Sequence, residues 1–186
     1  MIKIISGKYK GRIIPTIKNA TYRPSTARLR ESLFSILSSP CYEDNLLDAE
    51  VLDLYSGSGS LAFEALSRGA KSATLVDIDE NCLKSAKAFA EKIDRAEDIA
   101  CFKTSAINLP YSGRSYNLVF MDPPYGKNLV SKTLTSLIEQ KWLKSGSILV
   151  IEMEKREDFK HTGEFSTLDE RKYGNSKLIV MKYEQK

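Results

Sequence analysis

Asp122-Pro123-Pro124-Tyr125 brings two hydrogen-bond acceptors, a stiffened backbone and a flat aromatic face into four consecutive positions. An amine on an aromatic ring is a poor nucleophile because its lone pair is delocalised into the ring. When both of its N–H protons are held by fixed acceptors, the nitrogen becomes more tetrahedral and the lone pair is freed for attack. The Asp122 carboxylate and the Pro123 carbonyl are acceptors of that kind, and preorganised acceptors count most where water is scarce. Proline donates no backbone N–H, and two in a row stiffen the loop. Tyr125 offers a face on which a nucleobase can stack, including one swung out of its helix. The chemistry suggested is group transfer to an exocyclic amine. Asp-Pro-Pro is also good turn chemistry, so the reading needs a second feature.

That feature is Val51-Leu-Asp53-Leu-Tyr55-Ser-Gly57-Ser58-Gly59-Ser60. Gly57 and Gly59 let the chain turn tightly after a strand and let a ligand approach the backbone. Asp77, at the end of the next apolar run, can accept both hydrogen bonds of a ribose diol. Gly57-Ser-Gly59-Ser-Leu-Ala62 also fits the dinucleotide fingerprint, with Asp77 close to the expected distance downstream. The separating detail is Asp53, ahead of the glycines. Asp53-Leu-Tyr-Ser-Gly-Ser-Gly59 resembles motif I of the S-adenosylmethionine (SAM)-dependent methyltransferases. That resemblance implies that Asp53 holds the methionine end of SAM, directly or through water. Tyr55, Gly57, Ser58, Gly59 and Ile78 are expected among the cofactor contacts. A nicotinamide dehydrogenase has no use for Asp122–Tyr125.

The elements that position these residues follow from periodicity. Val51–Leu54, Ala73–Ile78, Ile99–Lys103, Tyr116–Met121 and Ser147–Glu152 read as strands, each short and apolar. Leu61–Arg68, Glu80–Ile93 and Leu129–Gln140 read as helices, the first closed by Gly69. Such alternation predicts an α/β, Rossmann-like fold: a mostly parallel, seven-stranded sheet with helices on both faces. Glu164–Arg171 and Lys177–Tyr183 flank Tyr173-Gly-Asn175 and predict an antiparallel pair at one edge. In an open sheet of this kind ligands sit beyond the carboxyl ends of the strands, where Asp53 and Asp122 both fall. Ahead of this rhythm, Ile2–Ser6 and Gly11–Pro15 predict a hairpin. A helix is predicted from Thr26, capped by Ser25 or Thr26 and ended by Ser38-Ser-Pro40. The expected division is a basic extension, 1–40, and a catalytic domain, 41–186.

Charge is distributed unevenly. The net charge is +4. The first thirty residues hold Lys3, Lys8, Lys10, Arg12, Lys18, Arg23, Arg28 and Arg30 and no acid, whereas the rest holds 20 basic and 24 acidic residues. A one-sign block on a mildly acidic body points to a polyanion held at one end. Cys41, Cys82 and Cys101 form no C-x-x-C, so disulfide and zinc readings fail on spacing. His161 is the sole histidine, which leaves a serine-histidine-aspartate triad without a motif. No apolar run is long enough to span a bilayer, and the N-terminus lacks a signal-peptide pattern. The expectation is a cytoplasmic monomer with no membrane partner and no metal.

Across nearly the whole chain, the order of segments resembles the RsmD family, the bacterial 16S ribosomal RNA guanine-N2 methyltransferases. The segments are Ile5-Ser-Gly-Lys-Tyr-Lys-Gly-Arg12, Arg23-Pro-Ser-Thr-Ala-Arg-Leu-Arg-Glu-Ser-Leu-Phe34, the Asp53 loop, Glu64-Ala-Leu-Ser-Arg-Gly-Ala70 and Asp122–Tyr125. The second of these is the specific part, since Asp-Pro-Pro-Tyr is shared with DNA adenine methyltransferases. The resemblance implies that Asp122, Pro123, Pro124 and Tyr125 hold the guanine. It implies that Ser105 and Ala106 contact the adenine of SAM. Arg23, Thr26, Arg28 and Arg30 would contact RNA phosphates or shape the pocket floor, and Lys8, Lys10 and Arg12, on the basic hairpin, would hold RNA backbone. The implied partner is 16S rRNA in the small (30S) subunit or its assembly intermediate. Ser56 stands where the family commonly has Ala, Asp77 where Glu is more frequent, and Ser105 where Asn or Asp is usual. Two other classes stay open from the residues alone, a DNA adenine-N6 methyltransferase and a non-catalytic RNA-binding module.

Overall fold

The structure, a computed structural model, describes residues 2–17, 27–42 and 45–186. A short hairpin, β1 (Ile2–Lys3) and β2 (Ile13–Ile14), precedes helix α1 (Ala27–Leu37). The main body runs β3 (Glu50–Leu54), α2 (Ser60–Ser67), β4 (Ser72–Asp77), α3 (Glu80–Lys92), β5 (Ile99–Lys103), β6 (Tyr116–Met121), α4 (Leu129–Glu139), β7 (Leu143–Glu154), β8 (Phe165–Tyr173) and β9 (Ser176–Tyr183). Seven strands form one sheet in the order β5-β4-β3-β6-β7-β9-β8. The first five of these pair in parallel, and β9 runs antiparallel to both β7 and β8. This is a Rossmann-like, class I methyltransferase fold. Among the described residues no helix is long and apolar enough to cross a membrane.

Alternation along each strand divides the core into two layers. Val51, Leu75, Leu118, Phe120 and Val150 pack with α1, α2 and α3 on one face. Leu52, Leu54, Val119, Met121, Leu149 and Ile151 pack with α4 and Trp142 on the other. Phe34 of α1 meets Phe120 of β6 edge-on at 5.7 Å. Asp53 shares the parity of Val51 and therefore faces α2. The hairpin is not packed apart from the body: Ile2, Ile4, Tyr9 and Ile14 are buried in the same apolar layer as α1 and α2.

Strand β7 is longer than the predicted Ser147–Glu152. Its first residues, Leu143-Lys-Ser-Gly146, break the apolar pattern because they form an irregularity against β6, where pairing jumps from Tyr116↔Leu143 to Leu118↔Ile148. Gly146 takes φ +88 there, and the Ser147 hydroxyl donates to the Tyr116 carbonyl at 2.6 Å. At the far edge, β8 is mostly exposed and carries Asp169, Glu170, Arg171 and Lys172. Arg171 lies 2.9 Å from Asp169, and Lys172 lies 3.7 Å from Glu170.

Candidate active site

The strand order reverses between β3 and β6, because α2 and β4 lie to one side of β3 and everything after β6 lies to the other. Such a reversal leaves a crevice at the carboxyl ends of the two strands. A cleft of about 770 Å³ opens there. Asp53, Tyr55 and Ser58 line it from the β3 side, Asp77 and Ile78 from β4, and Asp122, Pro123, Pro124 and Tyr125 from β6. The two motifs, separated in sequence, thus share one cavity.

The loop after β3 is built to present its backbone. Tyr55 takes φ +58 and Gly57 φ +50. Tyr55 is a non-glycine residue in the left-handed region, a conformation that needs outside support. Its hydroxyl is anchored to Thr133 Oγ1 of α4 at 2.7 Å. Gly59 takes φ +73 at the start of α2, where a Cβ would lie 2.6 Å from Leu75 Cδ2 and 3.0 Å from Phe63 Cε2. Glycine is required here by both conformation and space.

Three polar groups on this side have defined states. Asp53 is only 2% exposed and accepts from the Ala62 N–H at 3.1 Å. Burial pushes its carboxyl up to about 8, Asp77 adds to the rise, and the Ala62 N–H opposes it. Asp77 accepts from the Gly57 N–H at 2.7 Å through one oxygen and from the Asp79 N–H at 2.8 Å through the other. Both oxygens are therefore oriented by backbone, with lone pairs remaining. Ser56 Oγ is buried and has no hydrogen-bond partner among the described residues. A buried hydroxyl with open bonding capacity at a cleft wall is able to bond a ligand placed there.

On the other side, Pro123 is buried and Pro124 exposed, with Asp122 and Tyr125 half-buried. The Tyr125 hydroxyl donates to Glu152 Oε1 at 3.0 Å and bonds Ser176 Oγ at 2.7 Å. Burial, together with the Glu152 and Asp122 charges, pushes this phenol up to about 12 against the lowering effect of Ser176.

Some predicted residues lie elsewhere. Ser105 and Ala106 do not line the cleft; Ala106 is 3% exposed and packs into the apolar layer of Leu52 and Val76. Arg30 is placed inside the body rather than on an exposed surface, in keeping with the alternative of shaping the pocket floor. It is 3% exposed, with Nη1 donating to the Lys3 carbonyl at 3.3 Å. Burial lowers its guanidinium from the ordinary value, and Glu64 opposes that. Lys8, Lys10, Arg12 and Arg28 are exposed, and Arg28 lines the cleft. Arg23 and Thr26 lie outside the described residues.

Sequence reasoning misses Glu152 and the β8–β9 turn, which supplies Lys172, Tyr173, Asn175 and Ser176 to the cleft wall. An acid ending the apolar run Ile148–Ile151 is the available signal for Glu152. The turn carries none, because only the antiparallel return of β9 beside β7 brings it to the site.

Comparison with known proteins agrees with this geometry. Residues 2–182 match the family described as conserved hypothetical protein 95. The uncharacterized methylase RP545 of Rickettsia prowazekii (strain Madrid E) is 38% identical, covering 98% of each chain. Ribosomal RNA small subunit methyltransferase D of Escherichia coli (strain K12) is 33% identical over 82% of this chain and 75% of its own. The solved structure of yhhF from Escherichia coli superposes with a TM-score of 0.86 at 28% identity, covering 100% of this chain and 99% of that one. A cleft at the strand reversal, a glycine loop led by a buried acid, and a match spanning almost the entire chain agree: the chain belongs to the conserved hypothetical protein 95 family, the RsmD family of methyltransferases.

Proposed function

We propose that this enzyme transfers a methyl group from SAM to the exocyclic N2 amine of a guanine in 16S rRNA of the small ribosomal subunit, acting in the cytoplasm. The observation that carries the reading is that the acid-and-glycine loop and Asp122–Tyr125 open into one cleft.

The residues fit SAM. Asp53 is a buried acid suited to an ammonium, Ser56 Oγ lacks a partner among the described residues, and the Asp77 carboxylate is held by two backbone N–H groups with capacity left for a diol. Asp53, with the Gly57–Gly59 loop and the start of α2, would hold the amino-acid end. Asp77 would take the ribose, and exposed Ile78 would lie against the adenine. When bound, the cofactor supplies an electrophilic methyl group on a sulfonium.

The chain's own work is to bind and align. Asp122 and the Pro123 carbonyl would accept the two amine protons and free the nitrogen lone pair. Tyr125 would stack on the ring. With its single proton donated to Glu152, the phenol is left to act through its face. Alignment of attacking nitrogen and methyl carbon would supply most of the rate. The proton lost after transfer goes to Asp122 or to water.

The test is transfer of labelled methyl from SAM to unmodified small subunits, with nucleosides identified by mass. N2-methylguanosine is the expected product, and Asp122→Ala should lower kcat by at least about a hundredfold. Label found in N6-methyladenine of DNA, and absent from subunits and 16S RNA, would refute the substrate while keeping the motif.

A further inference from the structure

One hydroxyl ties the base-holding loop to the far side of the sheet. Tyr125 lies between β6 and α4, followed by Gly126 at φ +71 and Asn128 at φ +50, so its ring sits in irregular backbone rather than on a strand or helix. Glu152 comes from the end of β7 and Ser176 from the start of β9, and both reach the same oxygen of Tyr125. A carboxylate only accepts, so the phenol proton goes to Glu152 and the Ser176 hydroxyl donates to the phenol oxygen. A tyrosine held at its tip by two bonds, one to a charged group, is fixed about its first side-chain torsion, because swinging the ring would break both bonds.

We propose that Glu152 and Ser176 are positioning residues that fix where the ring of Tyr125 lies and thereby the seat of the target base. This deepens the functional reading above and rests on it. Both residues line the same cleft as Asp122. Glu152 is 6% exposed, so its carboxylate is retained inside the body at a position where an apolar residue would continue the strand pattern. The Tyr125–Ser176 bond also joins the β8–β9 turn to the catalytic loop. The wall formed by Tyr173 and Asn175 is thus held at a set distance from Asp122.

The test reads Tyr125 directly and through turnover. Full-length protein labelled with 3-fluorotyrosine gives the Tyr125 fluorine resonance, assigned by its loss in Tyr125→Phe. In Glu152→Leu/Ser176→Ala that resonance should move toward the free amino acid, whereas Glu152→Gln, which keeps an acceptor, should leave it near wild type. The same double variant should lower kcat about tenfold with SAM affinity by calorimetry changed less than about twofold. In a Tyr125→Phe background the two substitutions should add less than about twofold. An unmoved resonance, or an undiminished loss in the Tyr125→Phe background, overturns the proposal. Ser176→Ala alone, at a half-buried position, carries the same comparisons if Glu152→Leu does not fold. A wild-type protein that methylates no nucleic acid refutes the functional reading instead, and the fluorine spectrum then decides the tether by itself.

Discussion

At the scale of single residues, Asp53 links cofactor binding to pH. Its folded carboxyl titrates near 8 against an ordinary 3.8. Between those values the folded chain keeps a proton that the unfolded chain has lost, so stability falls as pH rises through that window. An incoming ammonium needs the ionised form. Affinity for SAM should therefore rise from pH 6 to pH 8 by up to about tenfold per unit, then level off. Asp53→Asn should abolish the slope, weaken binding, and raise the melting temperature of the ligand-free protein at pH 8 by several degrees, on the order of 1–3 kcal/mol. Calorimetry across pH and thermal melts check both parts, and a pH-independent affinity in the wild type would count against the assignment. The acids are legible in the sequence because an acid inside an apolar strand, followed by glycines, is rare without a purpose. Arg30 is not legible. A guanidinium four residues before Phe34 reads as surface charge until the hairpin closes over it. Nor does the exchange of Ala for Ser56 carry weight in sequence, where a hydroxyl's lack of partner is invisible.

At the scale of elements, Glu64 is the pin between the N-terminal hairpin and α2. It sits on α2, fully buried, and accepts from the Ile5 N–H at 2.7 Å, the Ser6 N–H at 3.0 Å and Arg68 Nε at 2.8 Å. Ser67, one turn on, donates to the Ser6 carbonyl and accepts from the Tyr9 N–H. Gly7 lies so close that a Cβ would fall 1.8 Å from the Ser67 carbonyl oxygen. Glu64→Gln places an amide donor among donors and leaves Arg68 uncompensated, which should cost about 3 kcal/mol. Urea denaturation measures this, and hydrogen exchange should show the amides of Ile5, Ser6 and Tyr9 losing protection first. A change below about 0.5 kcal/mol would mean that these bonds are surface-like in worth. Element types and most boundaries are readable from periodicity: β5 and β6 begin and end where predicted. The start of β7 is not, because a bulge places Lys144, Ser145 and Gly146 inside a strand and erases the alternation.

At the scale of the whole molecule, the sheet order explains why residues 53, 77 and 122 converge, and this much follows from strand–helix alternation. The cleft's other wall does not, since β9 reaches it only through an antiparallel insertion between β7 and β8. Exposed Lys8, Lys10 and Arg12 lie on the hairpin, and Arg28 lies at the cleft. Under the RNA reading, binding should weaken with salt. Replacing Lys8, Lys10 and Arg12 by Ala should reduce the slope of log K against log salt by about 0.7–0.9 for each phosphate that is no longer neutralised. Filter binding to 16S RNA over a salt series measures it; an unchanged slope would remove the hairpin from the interface. The outer edge of the sheet has its own consequence. Strand β8 is an edge strand, with a row of backbone groups turned away from β9, the kind of edge on which another chain can grow. Here that row is broken by an irregularity between Thr167 and Asp169 and studded with charges of both signs. A second copy approaching strand to strand would meet its own charges and a kinked ladder. Growth of a second copy on this edge is thus opposed by Asp169, Glu170, Arg171 and Lys172, the last of which also reaches the cleft wall.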